Sequence, residues 1–164
     1  LIEFPSYVLN IKGIPYRTVW LDLIDVQSAI KDLGAPPTAE VFGKEFYSIP
    51  TIYDPSTGQA VSESQKILEY LEVQYPDSPT LFPPDTRALQ VAFIESHYNK
   101  WIGILYPLLV TKLYDCCTPE SSRIYFRTSR AAYFWEDWGQ LEARGEEREK
   151  LILEFVQVLK DMTR

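Results

Sequence analysis

Apolar positions along this chain change period several times, and each change marks an element. Tyr7 to Gly13 reads as the end of an amphipathic helix, with Gly13 just past its C-terminus and Pro15 blocking any continuation. The period then drops to two. Tyr16, Thr18, Trp20 and Asp22 face opposite to Arg17, Val19, Leu21 and Leu23, which predicts a strand over Tyr16–Leu23. Helical spacing returns within Asp22–Leu33 at Val26, Ile30 and Leu33, and Gly34 terminates it. Gly34 to Tyr47 carries Pro36-Pro37, Gly43 and several charges, and reads as a loop or a short frayed helix. Ser48 to Tyr53 alternates and is rich in β-branched and aromatic residues, which suits a half-buried strand. Asp54 to Gly58 is a turn, Gln59 to Val61 a short returning strand. Ser62 stands three residues before Gln65 in a capping-box pattern, and Ile67, Leu68, Leu71 and Tyr75 give the following helix its buried face.

Pro76 to Pro84 holds four prolines and is a linker. Helical spacing dominates beyond it. Asp85 is placed to cap a long helix whose face is Leu89, Ala92, Phe93, Ser96, Trp101, Leu105 and Leu108, with Pro107 set to kink or end it. Ser121–Trp138 and Glu146–Leu159 supply two more helices, the last with Leu151, Phe155 and Val158 inward. A mixed half over 1–82 thus precedes an all-helical half over 83–164. Helix, strand, helix, hairpin, helix is a thioredoxin-like order that lacks its first strand, so the fold class is α+β followed by α.

Composition narrows the functions. The 164 residues are 46% hydrophobic and 14% aromatic, enough to bury a core. A formal net charge of −7 argues against nucleic acid or an anionic membrane surface as main partner. No apolar run is long enough for a membrane span, and no secretory signal opens the chain. Cys116 and Cys117 are adjacent, which suits neither a zinc knuckle nor a CxxC pair; free thiols in a reducing, cytoplasmic compartment or a vicinal disulfide are the two readings. His97 is the sole histidine, so a metal site or a Ser-His-Asp triad has little to build on.

The candidate chemistry lies between Ser48 and Ser64. Pro50 starts a strand and removes a ladder donor, which leaves neighbouring backbone unpaired. Glu63-Ser64 stands where a helix start directs N–H groups and a positive dipole end at an anion. A free backbone edge beside such a helix start is a receptor for an extended peptide carrying a carboxylate. The same Ser64 could instead cap the helix.

Ser48-Ile49-Pro50 followed by Glu63-Ser64 resembles the glutathione-binding half of the glutathione transferases. The run LNIKGIPYRTVWLD, the segment GAPPTAEVFGKEFYSIP and the turn YDPSTG are most similar to glutathione transferases of wood-rotting fungi related to bacterial β-etherases. The resemblance implies glutathione as co-substrate, a small hydrophobic or aromatic electrophile as second substrate, a homodimer, a detoxifying role and no metal. It implies a cis Ile49–Pro50 bond, with Ile49 N–H and C=O turned outward to the cysteinyl part of glutathione. It gives Ser64 the γ-glutamyl carboxylate, Glu63 the amino group, and Lys44 the glycine carboxylate against a bland role as a loop lysine. Tyr98, Trp101 and Tyr106 would line the electrophile pocket, against a bland role as core.

The chain departs from the family at its ends. The residue that activates the glutathione thiol, a Ser, Cys or Tyr before the first helix, falls upstream of Leu1, and the family's last helices fall beyond Arg164. Ser6 is the remaining catalytic candidate, but its spacing to Gly13 puts it inside the helix, and it reads better as an N-cap. The expectation is a chain shortened at both ends and marginally stable. Two function classes stay open: an enzyme that transfers glutathione or uses it to cleave or reduce a hydrophobic electrophile, and a protein that binds glutathione or hydrophobic ligands, or another protein, without turnover.

Overall fold

The computed structural model describes residues 3–83, 85–134 and 137–162. It divides into two compact units, residues 1–84 and 85–164. In the first, helix α1 (Glu3–Lys12) ends as the pattern requires. Gly13 takes φ +66°, its N–H donates to Asn10 O at 3.1 Å, and Ile14 N–H donates to Leu9 O at 2.9 Å. These are the two bonds of a Schellman cap, and they satisfy carbonyls the helix leaves open. Ser6 lies inside α1, so it does not cap the helix.

Tyr16–Leu23 is a correction. These residues form no strand, and Val19 and Trp20 are 64% and 78% exposed. Alternation gives a segment two faces but not a neighbour, and among the described residues no strand pairs with it. Helix α2 (Val26–Asp32) follows, with Val26 and Ile30 buried. The segment expected as loop or frayed helix holds a hairpin instead: β1 (Ala39–Val41) pairs antiparallel with β2 (Lys44–Phe46). Phe42 and Gly43 join them at φ +53° and +71°, the doubly positive two-residue turn that matches strand twist.

The second hairpin is the one the pattern predicts. Strand β3 (Thr51–Asp54) pairs with β4 (Gln59–Ser62), Thr51 opposite Ser62 and Asp54 opposite Gln59. Gly58 closes the turn at φ +71°. Asp54 is buried and anchors this end. Its carboxylate accepts from Ser56 N–H (2.9 Å) and Oγ (2.7 Å), and from the hydroxyls of Tyr70 and Tyr75, each at 2.7 Å. Burial pushes the Asp54 carboxyl up, but hydrogen bonds from Ser56, Tyr75 and Tyr70 outweigh it and bring it down to about 2.

Helix α3 (Ser64–Gln74) packs Ile67 and Leu71 on Val8 and Leu9 of α1, with Ile14, Ile52, Val61 and Leu81 around them. Each side chain so buried contributes roughly 1.5–3 kcal/mol. Beneath the linker, Lys12 is almost wholly enclosed. Its Nζ meets Glu72 Oε1 at 2.9 Å, Ser78 Oγ at 2.8 Å, and the carbonyls of Tyr75 and Pro79 at 3.3 Å each. Glu72 in turn accepts from Leu81 N–H and Thr80 Oγ, both at 2.9 Å. Five residues of the linker region are thereby tied to α1 and α3.

In the second unit, helix α4 (Arg87–Asp115) begins after Thr86, not Asp85, which takes φ +64°. It passes through Pro107 instead of ending there. Ile104 and Leu108, on either side of that proline, pack on Ala143 with Leu151, Phe155 and Val158, so tertiary burial holds the helix where local propensity would break it. Helix α5 (Glu120–Phe134), a 3-10 turn at Trp138–Gln140 and helix α6 (Gly145–Met162) complete the chain. No helix among the described residues is long and apolar enough to cross a membrane.

Candidate functional site

The β3–β4 hairpin brings two short backbone segments together. Thr51 pairs with Ser62, and their hydroxyls lie 2.8 Å apart. One residue further out on each side, Glu63 N–H donates to Pro50 O at 3.2 Å. The segment entering β3 therefore lies against the start of α3. Ile49–Pro50 is cis, as the resemblance implies. Neither the N–H nor the C=O of Ile49 has a partner among the described residues, and its side chain is exposed.

The capping box is a second correction. Ser62 is the last residue of β4 and spends its hydroxyl on Thr51, so it caps nothing. The residue in the N-cap position is Glu63, at φ 77° and ψ 126°, and its side chain makes no cap hydrogen bond. Glutamate at positive φ costs of order 1–3 kcal/mol, and such strain gathers at binding sites. Ser64 is the first residue of α3, so the simple capping role is also overturned; its hydroxyl has no partner among the described residues. The first helical bond runs from Ile67 N–H to Glu63 O at 2.9 Å, and the N–H groups of Ser64, Gln65 and Lys66 meet no acceptor among the described residues.

The arrangement has a definite chemical sense. An uncapped helix start with a hydroxyl beside it takes a carboxylate. The Glu63 carboxylate, next to it, takes an ammonium. Ile49 offers one donor and one acceptor to an extended peptide. Two residues outside the expected set complete the surroundings. Ser48 Oγ donates to Glu63 Oε1 at 3.3 Å, and Thr38 Oγ1 lies 3.0 Å from Ser48 Oγ. Ser48 was visible in the motif without a role. Nothing local in the sequence points to Thr38, ten residues upstream.

Lys44 is an exposed residue of β2 on the wall of an open cavity of about 370 Å³ with Gln27, Ser28, Lys31, Glu45 and Tyr47. That lining includes none of Ile49, Pro50, Glu63 or Ser64. Hydrogen bonds from Tyr47 (2.8 Å) and Lys31 (3.5 Å) lower the Glu45 carboxyl, and the same bond raises the Tyr47 phenol.

The three aromatic residues assigned to an electrophile pocket lie along α4. Tyr98 is exposed, while Trp101 and Tyr106 are half-buried. Trp101 and Tyr106 are five residues apart, roughly 140° around the helix, so they look in different directions. Trp101 continues a ladder in which Phe93 stacks on His97 at 4.2 Å and His97 meets Trp101 at 6.1 Å. Tyr106 is in the electrostatic reach of Arg130 on α5, and burial raises its phenol. His97 Nδ1 sits 2.8 Å from Phe93 O and 2.7 Å from Ser96 Oγ. No group of three or more metal-binding side chains occurs among the described residues. Cys116 and Cys117 are both free thiols.

The fold is that of a known class. The glutathione S-transferase N-terminal domain family matches residues 6–74. A crystal structure of glutathione transferase GSTFuA3 from Phanerochaete chrysosporium superposes with a TM-score of 0.83 at 32% identity, covering 96% of this chain and 63% of that one. A glutathione S-transferase of Ceriporiopsis subvermispora, solved in complex with glutathione, gives 0.82 at 34% identity over 94% of this chain and 63% of that one. Among curated proteins, the glutathione S-transferase-like protein ustS of Aspergillus flavus is 28% identical over 159 residues, 90% of this chain and 54% of that protein. Residues 6–74 match the glutathione S-transferase N-terminal domain, and the architecture, a thioredoxin-like N-terminal domain with small sheets before a helical C-terminal domain, is similar to that of fungal glutathione transferases. The chain spans less than two thirds of the length of these relatives.

Proposed function

We propose that this chain binds glutathione through Ile49, Pro50, Glu63 and Ser64, and that the bound thiol is the nucleophile toward a small hydrophobic electrophile. Transfer to the electrophile, cleavage of an ether and reduction of a peroxide are the three outcomes open to that thiol. One observation carries the reading: the unpaired N–H and C=O of Ile49 lie beside an uncapped helix start that has a carboxylate at its threshold. A γ-glutamyl group, with carboxylate and ammonium on one carbon, needs those two opposite partners side by side. Relatives crystallised with glutathione support the same ligand. In this reading Lys44 has no contact with glutathione unless the ligand's glycine end reaches the β2 cavity. The free thiols fit a cytoplasmic setting, and two copies pair as a homodimer.

The test is titration calorimetry with glutathione on this chain and on Ser64→Ala. Loss of one donor to a charged group predicts roughly tenfold weaker binding with unchanged melting. Equal affinity in the two proteins defeats the assignment of Ser64.

A second reading is binding without turnover, since Ser6, the catalytic candidate among the described residues, is a residue of α1 itself and does not precede the helix. Turnover assays with a chromogenic aryl halide separate the two readings once binding is established.

A further inference from the structure

We propose that Thr38 and Ser48 form a hydroxyl relay that holds the Glu63 carboxylate in position for the ammonium of the bound peptide, so that both act as positioning residues. This inference rests on the glutathione reading above and deepens it.

The proton count gives the relay its direction. Thr38 and Ser48 have one hydroxyl proton each, and three contacts compete for them. Thr38 Oγ1 lies 3.1 Å from Phe46 O, Thr38 Oγ1 and Ser48 Oγ are 3.0 Å apart, and Ser48 Oγ is 3.3 Å from Glu63 Oε1. Phe46 O is already served by Thr38 N–H at 2.8 Å. The Thr38 hydroxyl, which also reaches Phe46 O, can therefore turn its proton to Ser48 without leaving that carbonyl unsatisfied. Ser48 can then give its own proton to Glu63, and the Glu63 carboxylate, which only accepts, ends the chain. Aligned donors of this kind strengthen one another.

Three separate elements supply the three groups. Thr38 precedes β1, Ser48 joins β2 to β3, and Glu63 precedes α3. Each is half-buried, so solvent competes only in part for these bonds. A glutamate in the N-cap position has a local alternative, which is to turn back and accept from the helix's own free N–H groups. Glu63 does not do so; it accepts from Ser48 instead. The relay thus keeps the carboxylate off the helix start, where the ligand's own carboxylate has to sit. Ser48 touches Glu63 directly, while Thr38 acts through Ser48.

The experiment compares two ligands by calorimetry: glutathione, and glutaryl-cysteinylglycine, which keeps both carboxylates and the thiol but lacks the amino group. Wild type, Ser48→Ala, Ser48→Thr and Thr38→Val are each titrated, with thermal melting to confirm that each is folded. Expected for Ser48→Ala is about a fivefold to twentyfold loss for glutathione and under twofold for the glutaryl ligand. Ser48→Thr restores binding, and Thr38→Val shows a smaller loss with the same ligand selectivity. If the wild type binds glutathione and Ser48→Ala weakens both ligands equally, or neither, the relay is refuted while the glutathione site stands. If the wild type binds neither ligand, the site and the relay fall together.

Discussion

The Lys12 cage offers a test of what holds the first unit together. Lys12→Met keeps most of the side-chain volume and removes the charge. Four acceptors lose one donor each: Glu72 Oε1, Ser78 Oγ and the carbonyls of Tyr75 and Pro79. Removing one member of a buried ion pair typically costs 3–5 kcal/mol, because its partner stays behind uncompensated. Two features reduce that figure here. The Glu72 side chain is 21% exposed, so water reaches it, and Leu81 N–H and Thr80 Oγ still donate to it. A loss of about 2–3 kcal/mol is expected, a large share of the stability of an ordinary domain. Urea unfolding followed by far-ultraviolet circular dichroism measures it, as a lower midpoint at constant slope. Glu72→Gln should cost less, since its amide oxygen can still accept from Lys12 and Leu81. A loss under 1 kcal/mol for Lys12→Met would falsify the view that this cage fixes the linker to the helices.

Two further outcomes are expected. The folded Asp54 carboxyl, at about 2, lies below its unfolded value near ~3.9, so its stabilisation is complete above about pH 5 and is lost as pH falls toward 2. Urea titrations across that range should show roughly 1–2 kcal/mol less dependence on pH in Asp54→Asn than in wild type. Gly58 stands at φ +71° with open space where a Cβ would go, so Gly58→Ala should cost about 1 kcal/mol by backbone strain alone, read from the same denaturation curves.

How much of this was legible in the sequence differs by element. Gly13, Gly34 and Gly58 each carry a local requirement for positive φ, and each sits where the pattern put it. Ile67 and Leu71 are buried because helical spacing leaves them no other face. Tyr16–Leu23 failed because alternation reports faces and not partners. The hairpin at 39–46 escaped because strands of three residues are too short to show alternation, and Phe42 is an unusual residue for its turn. At the site, Ile49, Pro50, Glu63 and Ser64 were readable as a motif. The positive φ of Glu63 was not, which is why the sequence pattern points to Ser62 as the cap. Thr38 reaches the site only because β1 folds back on β2, a register that no local pattern encodes.

On the proposed reading, the backbone at Glu63 sets folding against ligand capture. Glycine is the residue that adopts its φ of 77° at no steric expense, so Glu63→Gly relieves strain in the fold while deleting the carboxylate. Selection for stability alone therefore pulls this position away from glutamate. Drift in a copy of the chain released from its duty would erase the ligand before it erased the fold, leaving a sound scaffold with an empty threshold.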